Sequence, residues 1–359
     1  MGRPTILVTG GTGFLGSEIV KALVETNDYK VIALDINPPS LGTKTYPHVT
    51  YIRANILQPS ELTKMFQETK PTIIVHSAGL VPAGNARYNC TKEERERVLE
   101  VNVSGTRNVV EAAKEVGVRG LVYTSSFTVV TDDLEEDFRN VNESAPTGRA
   151  GLVYGQSKTA AEELVLSSNT PSFHTVALRP SVIFGPADPT CIPVLHSCIP
   201  FTTPFIIGTG TNLADFIYVS NCADAHVLAV RNLLTAGTAA GEAFFISNGE
   251  PVAFRDFCVA VWKEFGHVPP VQVRIPKSLA WGLGAVAEWV SWVVGGTTTL
   301  SRGSVKDATA VRYVSMQKAR RVLGYQPRVG LSEGVKITCE HFKRRYGSRP
   351  MASSGEFGC

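Results

Sequence analysis

Apolar runs alternate with amphipathic stretches from the start of the chain. Residues 5–9 form an apolar run that predicts a strand, and residues 14–25 have the spacing of an amphipathic helix. Further β-rich runs lie at 30–35, 49–53, 72–76, 120–125 and 174–179, with helical segments between most of them. Alternating strands and helices predict an α/β fold with a Rossmann-like, doubly wound parallel sheet.

The chain changes character in its second half. A Pro-rich piece at 186–204 predicts the exit from the domain that holds the sheet (1–185) into a smaller second lobe (186–345). A short apolar run within 243–248 is expected to return to the sheet as a late strand. The tail, 346–359, is small, polar and Gly-rich, and is expected to be disordered.

Residues 279–296 form a nearly continuous apolar segment, LAWGLGAVAEWVSWVVGG. Glu288 and four glycines argue against a membrane-spanning helix and favour a helix that is buried or lies at an interface. At helical spacing Lys277, Gly284, Glu288, Ser291 and Gly295 share one narrow stripe, which leaves a broad apolar surface. We expect that surface to contact protein or lipid.

Composition and charge exclude several classes of protein. The chain is 43% hydrophobic and 19% charged, as globular proteins are, and its net charge of +3 is too small to indicate a nucleic-acid-binding surface. The basic run at 343–345 is interpreted as a solvated helix end. Seven scattered cysteines without a C-x-x-C motif or a signal-peptide pattern indicate a reducing compartment, and without an H-E-x-x-H motif no metal is expected.

A glycine-rich turn follows the first predicted strand and opens the first helix. Gly10, Gly13 and Gly16 have the spacing that allows a tight turn, close approach of a pyrophosphate and packing of helix on sheet. Asp35 ends the next strand, where a carboxylate accepts hydrogen bonds from the adenosine ribose. That carboxylate would repel a 2′-phosphate, so we expect NAD rather than NADP. Asn55 is interpreted either as an adenine contact or as a turn former.

Tyr154 and Lys158 are one helical turn apart and can point into one pocket. The strand end at Ser126 lies at the carboxyl edge of the predicted sheet, where such folds bind ligands. A nearby ammonium favours the phenolate form of a tyrosine, which can then take the proton of an alcohol. The three side chains are therefore candidates for proton transfer, with Ser126 holding the substrate oxygen.

These motifs resemble those of the extended short-chain dehydrogenases. The resemblance includes Val-Asn-Val-Ser-Gly-Thr at 101–106, Tyr-Thr-Ser-Ser at 123–126 and Leu-Arg-Pro at 178–180. The segments 207–210, 215–219 and 245–251 resemble the 3β-hydroxysteroid dehydrogenase branch and, within it, the fungal sterol-4α-carboxylate 3-dehydrogenases (decarboxylating). Two positions depart from that pattern, Ser181 and Asn55. The resemblance extends to fungal enzymes that tailor triterpenoids and meroterpenoids.

The resemblance implies NAD-dependent oxidation of a 3β-hydroxyl group on a hydrophobic sterol or terpenoid. It implies Asn102 as a fourth catalytic residue that positions a relay water, and Pro180 beside the nicotinamide. It also implies that the segment 279–296 makes peripheral contact with a membrane, at the cytoplasmic face of the endoplasmic reticulum or of another membrane. Without such contact the protein is expected in the cytosol. Whether it forms a homodimer is left open. The expected cofactor contacts are Gly10, Thr12, Gly13, Phe14, Leu15, Gly16, Asp35, Asn55, Ile56, Ser77, Ala78, Tyr154, Lys158 and Pro180.

Several alternatives stay open at this point. Oxidation beside a carboxylate-bearing carbon gives a β-keto acid that loses carbon dioxide, whereas oxidation of a plain 3β-alcohol uses the same residues. A nucleotide-sugar epimerase or dehydratase shares the motifs of the first half but needs arginines that clamp a diphosphate. A non-catalytic NAD-binding regulator usually lacks one member of the triad, and here all are present.

Overall fold

The computed structural model describes residues 2–39, 44–82, 84–133, 136–200, 203–294, 298 and 300–347. In these ranges the strands are β1 (Thr5–Thr9), β2 (Lys30–Asp35), β3 (Val49–Arg53), β4 (Ile73–His76), β5 (Gly120–Thr124), β6 (Phe138–Val141), β7 (His174–Pro180), β8 (Val182–Phe184), β9 (Phe205–Ile207), β10 (Leu213–Ala214), β11 (Phe216–Tyr218), β12 (Glu242–Ile246), β13 (Val252–Ala253), β14 (Val273–Ile275) and β15 (Arg312–Val314).

The helices in the same ranges are α1 (Phe14–Glu25), α2 (Pro59–Thr69), α3 (Lys92–Leu99), α4 (Gly105–Glu115), α5 (Thr128–Thr131), α6 (Val153–Ser167), α7 (Cys191–Ser197), α8 (Val219–Leu234), α9 (Phe254–Glu264), α10 (Lys277–Val294), α11 (Arg302–Thr309), α12 (Gln317–Leu323) and α13 (Leu331–Tyr346). A 3-10 turn spans Gly84–Arg87, and a π-helical turn, Glu100–Ser104, joins α3 to α4.

Seven parallel strands form the main sheet, in the order β12-β7-β5-β4-β1-β2-β3. The strand order reverses between β1 and β4, so the loops that follow these two strands diverge at the carboxyl edge of the sheet. Crevices of this kind are where doubly wound folds bind ligands. The predicted fold class is confirmed, and the expected late strand is β12, which pairs with β7 along its whole length.

Apolar side chains cover both faces of the sheet because parallel strands are buried on both sides. On one face α1, α8 and α12 contribute buried residues such as Ile19, Val230 and Leu323. On the other face α2, α4 and α6 contribute Leu62, Val109 and Ala161. The sheet is therefore a rigid platform that fixes the positions of the strand ends.

Three smaller sheets are formed mostly by the second half of the chain. The four-stranded sheet has the order β13-β10-β15-β6, in which β6 comes from the first half, and the other two are the strand pairs β11-β8 and β14-β9. The helices α7, α9 and α13 pack around a third apolar cluster that contains Phe184, Trp262 and Phe342. Helix α13 includes Tyr346, and residues 348–359, most of the predicted tail, lie outside the described residues.

Helix α10 corresponds to the apolar segment. The buried side of this helix includes Ala280 and Gly284. The chain packs closely at Gly284, since a methyl group there would come within 2.9 Å of the Ser301 carbonyl carbon. Glu288 lies on the same side and pairs with Arg302 of α11 at 2.7 Å. The opposite face exposes large apolar side chains to solvent: Leu279, Trp281, Leu283, Val286, Trp289, Val290, Val293 and Val294.

Candidate active site

The glycine-rich turn lies at the reversal point of the strand order. Gly10 has a φ of +67°, which favours glycine, and a methyl group there would come within 2.9 Å of the Ala78 backbone. A methyl group on Gly16 would lie 1.9 Å from the Gly10 carbonyl oxygen. Gly13 is the N-cap of α1, and Phe14 and Leu15 form its first turn, so their amides have no intrahelical acceptor. The turn can hold a pyrophosphate on these amides.

The Asp35 carboxylate folds back toward the turn. It accepts hydrogen bonds from the backbone amides of Thr12, at 3.1 Å, and Asn37, at 3.2 Å. These bonds fix the carboxylate at the rim of the crevice, where a ribose would lie. Arg53 is the register partner of Asp35 on the neighbouring strand, and its Nε donates to the Ile36 carbonyl. No local pattern marks this cation in advance, because strand pairing alone brings it to Asp35.

We expect Asp35→Ala to weaken NAD binding by about tenfold and to reduce discrimination against NADP, because it removes an acceptor for the ribose and a charge that repels a 2′-phosphate. Arg53 would remain as a cation beside the vacated position. Dissociation constants of both cofactors measure the effect, with Asp28→Ala, at an exposed position, as the matched control. A wild-type preference for NADP would show that our interpretation of Asp35 is wrong.

The remaining predicted cofactor contacts follow the ends of β3 and β4. Ser77 and Ala78 follow β4, and the Ala78 amide donates to the Thr9 hydroxyl. Ile56 is buried against Gly105 at the start of α4. The Asn55 side-chain oxygen accepts the Leu57 amide at 3.0 Å, which is the turn-forming role left open above.

Ser126, Tyr154 and Lys158 converge at the carboxyl end of β5. The Ser126 hydroxyl lies close enough to the Tyr154 phenol to lower its pKa. The Lys158 ammonium is buried, donates to the Thr124 carbonyl at 2.8 Å and lies 6.0 Å from the centre of the Tyr154 ring. Pro180, at the end of β7, accepts the Phe127 amide and so lies beside the same strand end.

Opposing electrostatic effects act on this group. Burial raises the pKa of the Tyr154 phenol to about 12, while the Ser126 hydroxyl and the Arg87 charge lower it. Burial also lowers the pKa of the Lys158 ammonium to about 8, against the opposing charge of Glu162. The ammonium is therefore mostly protonated at pH 7 and can stabilise a phenolate beside it. A positively charged cofactor ring in the crevice would favour the phenolate further.

Asn102 lies in the π-helical turn and is buried. Its side chain holds the loop after β4: Oδ1 accepts the Leu80 amide at 2.7 Å, and Nδ2 donates to the Leu80 carbonyl and to the Ser157 hydroxyl. A methyl group on Gly79 would come within 3.1 Å of Asn102 Oδ1 and 3.4 Å of Lys158 Nζ. Asn102 therefore reaches the vicinity of Lys158, and its amide positions the active-site loop.

Two buried networks support the site and were missed in the sequence. Glu162 forms an ion pair with Arg179 at 2.6 Å and accepts the Ser125 hydroxyl, which locks α6 to β5 and β7. The placement of Glu162 one turn beyond Lys158 was the available signal for this network.

The second network runs through the His76 ring, which accepts from Thr9 and donates to Thr106. The Thr106 hydroxyl donates its proton to the Asn102 carbonyl, so it can only accept from His76, whose Nε2 therefore carries the proton. Burial lowers the pKa of His76 to about 3, so it stays neutral. The network therefore links β1, the end of β4 and the π-helical turn without adding charge.

Comparison with known proteins decides the family. Residues 7–277 match the model of the 3-beta hydroxysteroid dehydrogenase/isomerase family. The chain belongs to this family. Among its relatives, the sterol-4-alpha-carboxylate 3-dehydrogenase (decarboxylating) of Schizosaccharomyces pombe is 36% identical over 91% of this chain and 94% of the relative. The enzyme of the same name from Saccharomyces cerevisiae is 35% identical over 93% and 96%.

Solved structures of nucleotide-sugar enzymes share the fold of this family member. UDP-glucose 4-epimerase from Thermus thermophilus, in complex with NAD, has a TM-score of 0.72 and 24% identity, covering 94% of this chain and 99% of the epimerase. This likeness concerns the fold. The family match and the dehydrogenase relatives confirm the predicted resemblance and the predicted enzyme class, an oxidoreductase of the 3β-hydroxysteroid dehydrogenase type.

Proposed function

We propose that this enzyme oxidises a 3β-hydroxyl group on a sterol, triterpenoid or meroterpenoid with NAD, and that a carboxylate on the adjacent C4 carbon then leaves as carbon dioxide. The observation that carries the proposal is the convergence of Ser126, Tyr154 and Lys158 beside the glycine turn in a 3β-hydroxysteroid dehydrogenase. The names of the relatives support a carboxylated sterol as substrate.

The crevice fits NAD, which when bound supplies the carbon atom that takes the substrate hydride. The contact between Gly10 and Gly16 leaves room for a pyrophosphate over the first turn of α1, and Asp35 is placed for the adenosine ribose. We assign residues 1–185, together with β12, to cofactor binding and residues 186–345 to substrate binding. The residues that would hold NAD are those of the turn from Gly10 to Gly16, Asp35, Ala78, Tyr154, Lys158 and Pro180.

In the oxidation step each residue of the triad has a distinct task. Ser126 orients the substrate oxygen through a hydrogen bond. Tyr154, as phenolate, accepts the proton of the substrate hydroxyl group while a hydride leaves the carbon that bears this hydroxyl. Lys158 stabilises the phenolate before proton transfer. Its ammonium and the Asn102 side chain both lie close to Gly79 in the loop after β4. The products of this step are a ketone and a protonated Tyr154.

In the decarboxylation step the bond between C4 and the carboxyl carbon breaks. Its electron pair forms an enolate on the new ketone, and neutral carbon dioxide departs. Tyr154 now carries a proton and can donate a hydrogen bond to the oxygen that gains charge, as Ser126 can. One site therefore serves both steps, and the enolate regains a proton at C4 to give the final ketone.

Plain oxidation of a 3β-alcohol is the second candidate, and one observation favours it. A substrate carboxylate needs a cation or several donors. Arg87, whose charge acts on Tyr154, already binds two carboxylates, Asp132 and Asp307. A stable ketone from a substrate without the carboxyl group would identify this reaction.

An absorbance assay with NAD and a panel of substrates tests the class of reaction. The purified enzyme is mixed with 3β-hydroxy sterols, with terpenoids and with UDP-sugars, and formation of NADH is followed. We expect NADH only with the sterols or terpenoids. Conversion of a UDP-sugar to an isomer or a dehydrated sugar, followed by chromatography because those reactions regenerate NAD, would indicate an epimerase or dehydratase. NAD binding without turnover of any substrate would indicate a regulator.

We further propose that the apolar face of α10 binds a membrane surface, at the cytoplasmic face of the endoplasmic reticulum or another membrane. No helix in the described part of the chain is long and apolar enough to span a bilayer. Trp289 and Val294 are 64% and 72% exposed. Glu288 pairs with Arg302 of α11, so the polar residues of α10 face the protein and the exposed face is apolar. Such a helix lies in the plane of the interface. The Trp292 side chain lies outside the described residues.

The combination of Trp289→Gln, Val290→Gln and Val293→Gln is expected to reduce vesicle binding by at least about tenfold, because it removes apolar area that the bilayer would bury. Flotation with vesicles of phosphatidylcholine and phosphatidylserine measures this, and NAD binding should be unchanged. The control carries Val268→Gln and Val271→Gln, at exposed apolar positions outside α10. Unfolding of the triple variant would mean that the face is core, and equal binding would refute membrane contact.

A further inference from the structure

Four charged side chains form a cluster beside the helix that carries Tyr154. Arg87 lies at its centre: Nη2 donates to Asp132 Oδ1 at 3.1 Å, and Nε donates to Asp307 Oδ2 at 3.2 Å. Arg312 forms a short ion pair with the other oxygen of Asp307, and the Tyr88 hydroxyl donates to Oδ2 at 2.6 Å. The cluster joins the loop before α3, the end of α5, helix α11 and strand β15.

The Asp132 carboxylate packs against the first turn of α6. A methyl group on Gly155, the residue after Tyr154, would come within 2.6 Å of Asp132 Oδ2. That oxygen is buried and has no hydrogen-bond partner among the described residues. The Asp132 carbonyl accepts the Gly151 amide just before the helix. Asp132 therefore contacts the chain on both sides of Leu152 and fixes where α6 begins.

The cluster is balanced in charge: with Asp132 and Asp307 ionised, two carboxylates face two guanidinium groups. Burial raises the pKa of the Asp132 carboxyl against the opposing charges of Arg87 and Arg312. Burial opposes ionisation of Asp307 as well, but Arg87 and Arg312 together hold its pKa well below its usual range. Removing one member leaves a net charge near Tyr154 in a half-buried cluster, where a charge acts over several ångströms.

Charges from several elements face Tyr154, so the effect of this cluster has to be separated from theirs. Arg87 lowers the pKa of the phenol, and Asp132 raises it. The other titratable or charged groups on the surrounding elements are Lys158 and Glu162 on α6, Tyr123 on β5, Arg179 on β7 and Arg95 on α3, which binds Gln156.

We propose that Arg87 and Asp132 are positioning residues for Tyr154: the pair fixes the start of α6 and sets the pH at which the phenol gives up its proton. The inference rests on the proposed role of Tyr154 as base. It predicts effects of opposite sign for the two members of the pair. Loss of structure alone would reduce activity in both without moving the pH profile in opposite directions.

The test is the pH dependence of kcat/KM for a 4-carboxy-3β-hydroxy sterol with saturating NAD. Because the phenolate is the active form, the rate rises with pH through the pKa of the phenol. Asp132→Asn leaves an excess of positive charge, so the rising limb should move to lower pH by about half a unit or more. Arg87→Gln leaves an excess of negative charge, so the limb should move to higher pH by a similar amount.

The double variant with Arg87→Gln and Asp132→Asn keeps the charge balance, so its limb should return close to that of the wild type. NAD affinity should stay within a few-fold of the wild type, and the far-ultraviolet circular dichroism spectrum should be unchanged, in all three variants. Asp224→Asn and Arg328→Gln, in an ion pair that joins α8 to the segment after α12, are the matched controls and should not move the limb.

Shifts of the same sign in both single variants, or limbs that stay in place, would overturn the inference. A Tyr154→Phe variant measured alongside separates this outcome from failure of the proposed function. If that variant keeps its turnover, the role of Tyr154 is wrong. If it is inactive while the limbs of the cluster variants stay in place, only the role of the Arg87–Asp132 pair is wrong.

Discussion

The Tyr154→Phe variant is expected to keep its NAD affinity within a few-fold of the wild type and to lose about a thousandfold in turnover, because it lacks the phenolic oxygen that, as phenolate, accepts the substrate proton. The ring stays in place, so the packing of α6 is preserved. The removed oxygen belongs to a ring whose centre lies 6.0 Å from the Lys158 ammonium, and its pKa responds to Ser126. The loss should appear in kcat at saturating substrate, measured as NADH formed per enzyme.

A control for this experiment is Tyr346→Phe, which removes a hydroxyl group at an exposed position at the end of α13. This variant should keep the turnover of the wild type. If Tyr154→Phe retained turnover within a few-fold of the control, proton transfer would not pass through Tyr154, and the proposed mechanism would be wrong.

The Gly16→Ala variant is expected to lose NAD affinity by about a hundredfold or more. Its methyl group would lie 1.9 Å from the Gly10 carbonyl oxygen, a distance that no real pair of such atoms shows, so the turn must open. Opening the turn misplaces the amides at the start of α1 that would bind the pyrophosphate. Isothermal titration with NAD measures the affinity directly.

The matched control is Gly282→Ala, since a methyl group at that helical position meets no other atom within 4 Å. It should bind NAD as the wild type does. NAD affinity in Gly16→Ala equal to that of the control would show that the glycine turn is not the pyrophosphate site. Circular dichroism of both variants distinguishes a local effect from unfolding.

The first half of the fold could be predicted because its signals are local. The first helix runs from Phe14 to Glu25 as predicted, since a glycine turn precedes it and apolar residues such as Ile19 and Leu23 recur on one face. The early strands are buried on both sides, so their apolar runs stand out from their neighbours. The strand that ends at Asp35 was predicted with its observed limits for the same reason.

The short strands of the second half lack such signals. The pair β9 and β14 has three residues in each strand, and Phe205, Val273 and Arg274 are exposed, so neither strand shows a clear period of two. Their pairing depends on tertiary contacts that bring distant segments together. The predicted α10 helix was easier to recognise because its polar stripe, with Glu288, repeats at helical spacing.

The candidate site divides in the same way. Tyr154 and Lys158 are close in sequence, so their spacing on one helix predicts their approach. The Arg87 contacts could not be predicted, because 45 residues separate it from Asp132 and 220 from Asp307. Only the finished fold brings these side chains together, and no local pattern marks an ion pair between such distant residues in advance.

The most direct test of the proposed function is the amount of carbon dioxide released for each NADH formed from a 4-carboxy-3β-hydroxy sterol or triterpenoid. The same ring system without the carboxyl group is assayed in parallel, and the ketone products are identified by mass spectrometry. We expect about one carbon dioxide per NADH and little turnover of the simple alcohol, because the carboxylate leaves from the β-keto acid that oxidation creates. Efficient conversion of the simple alcohol to a stable 3-ketone, or NADH without carbon dioxide from the carboxylated substrate, would contradict the proposal.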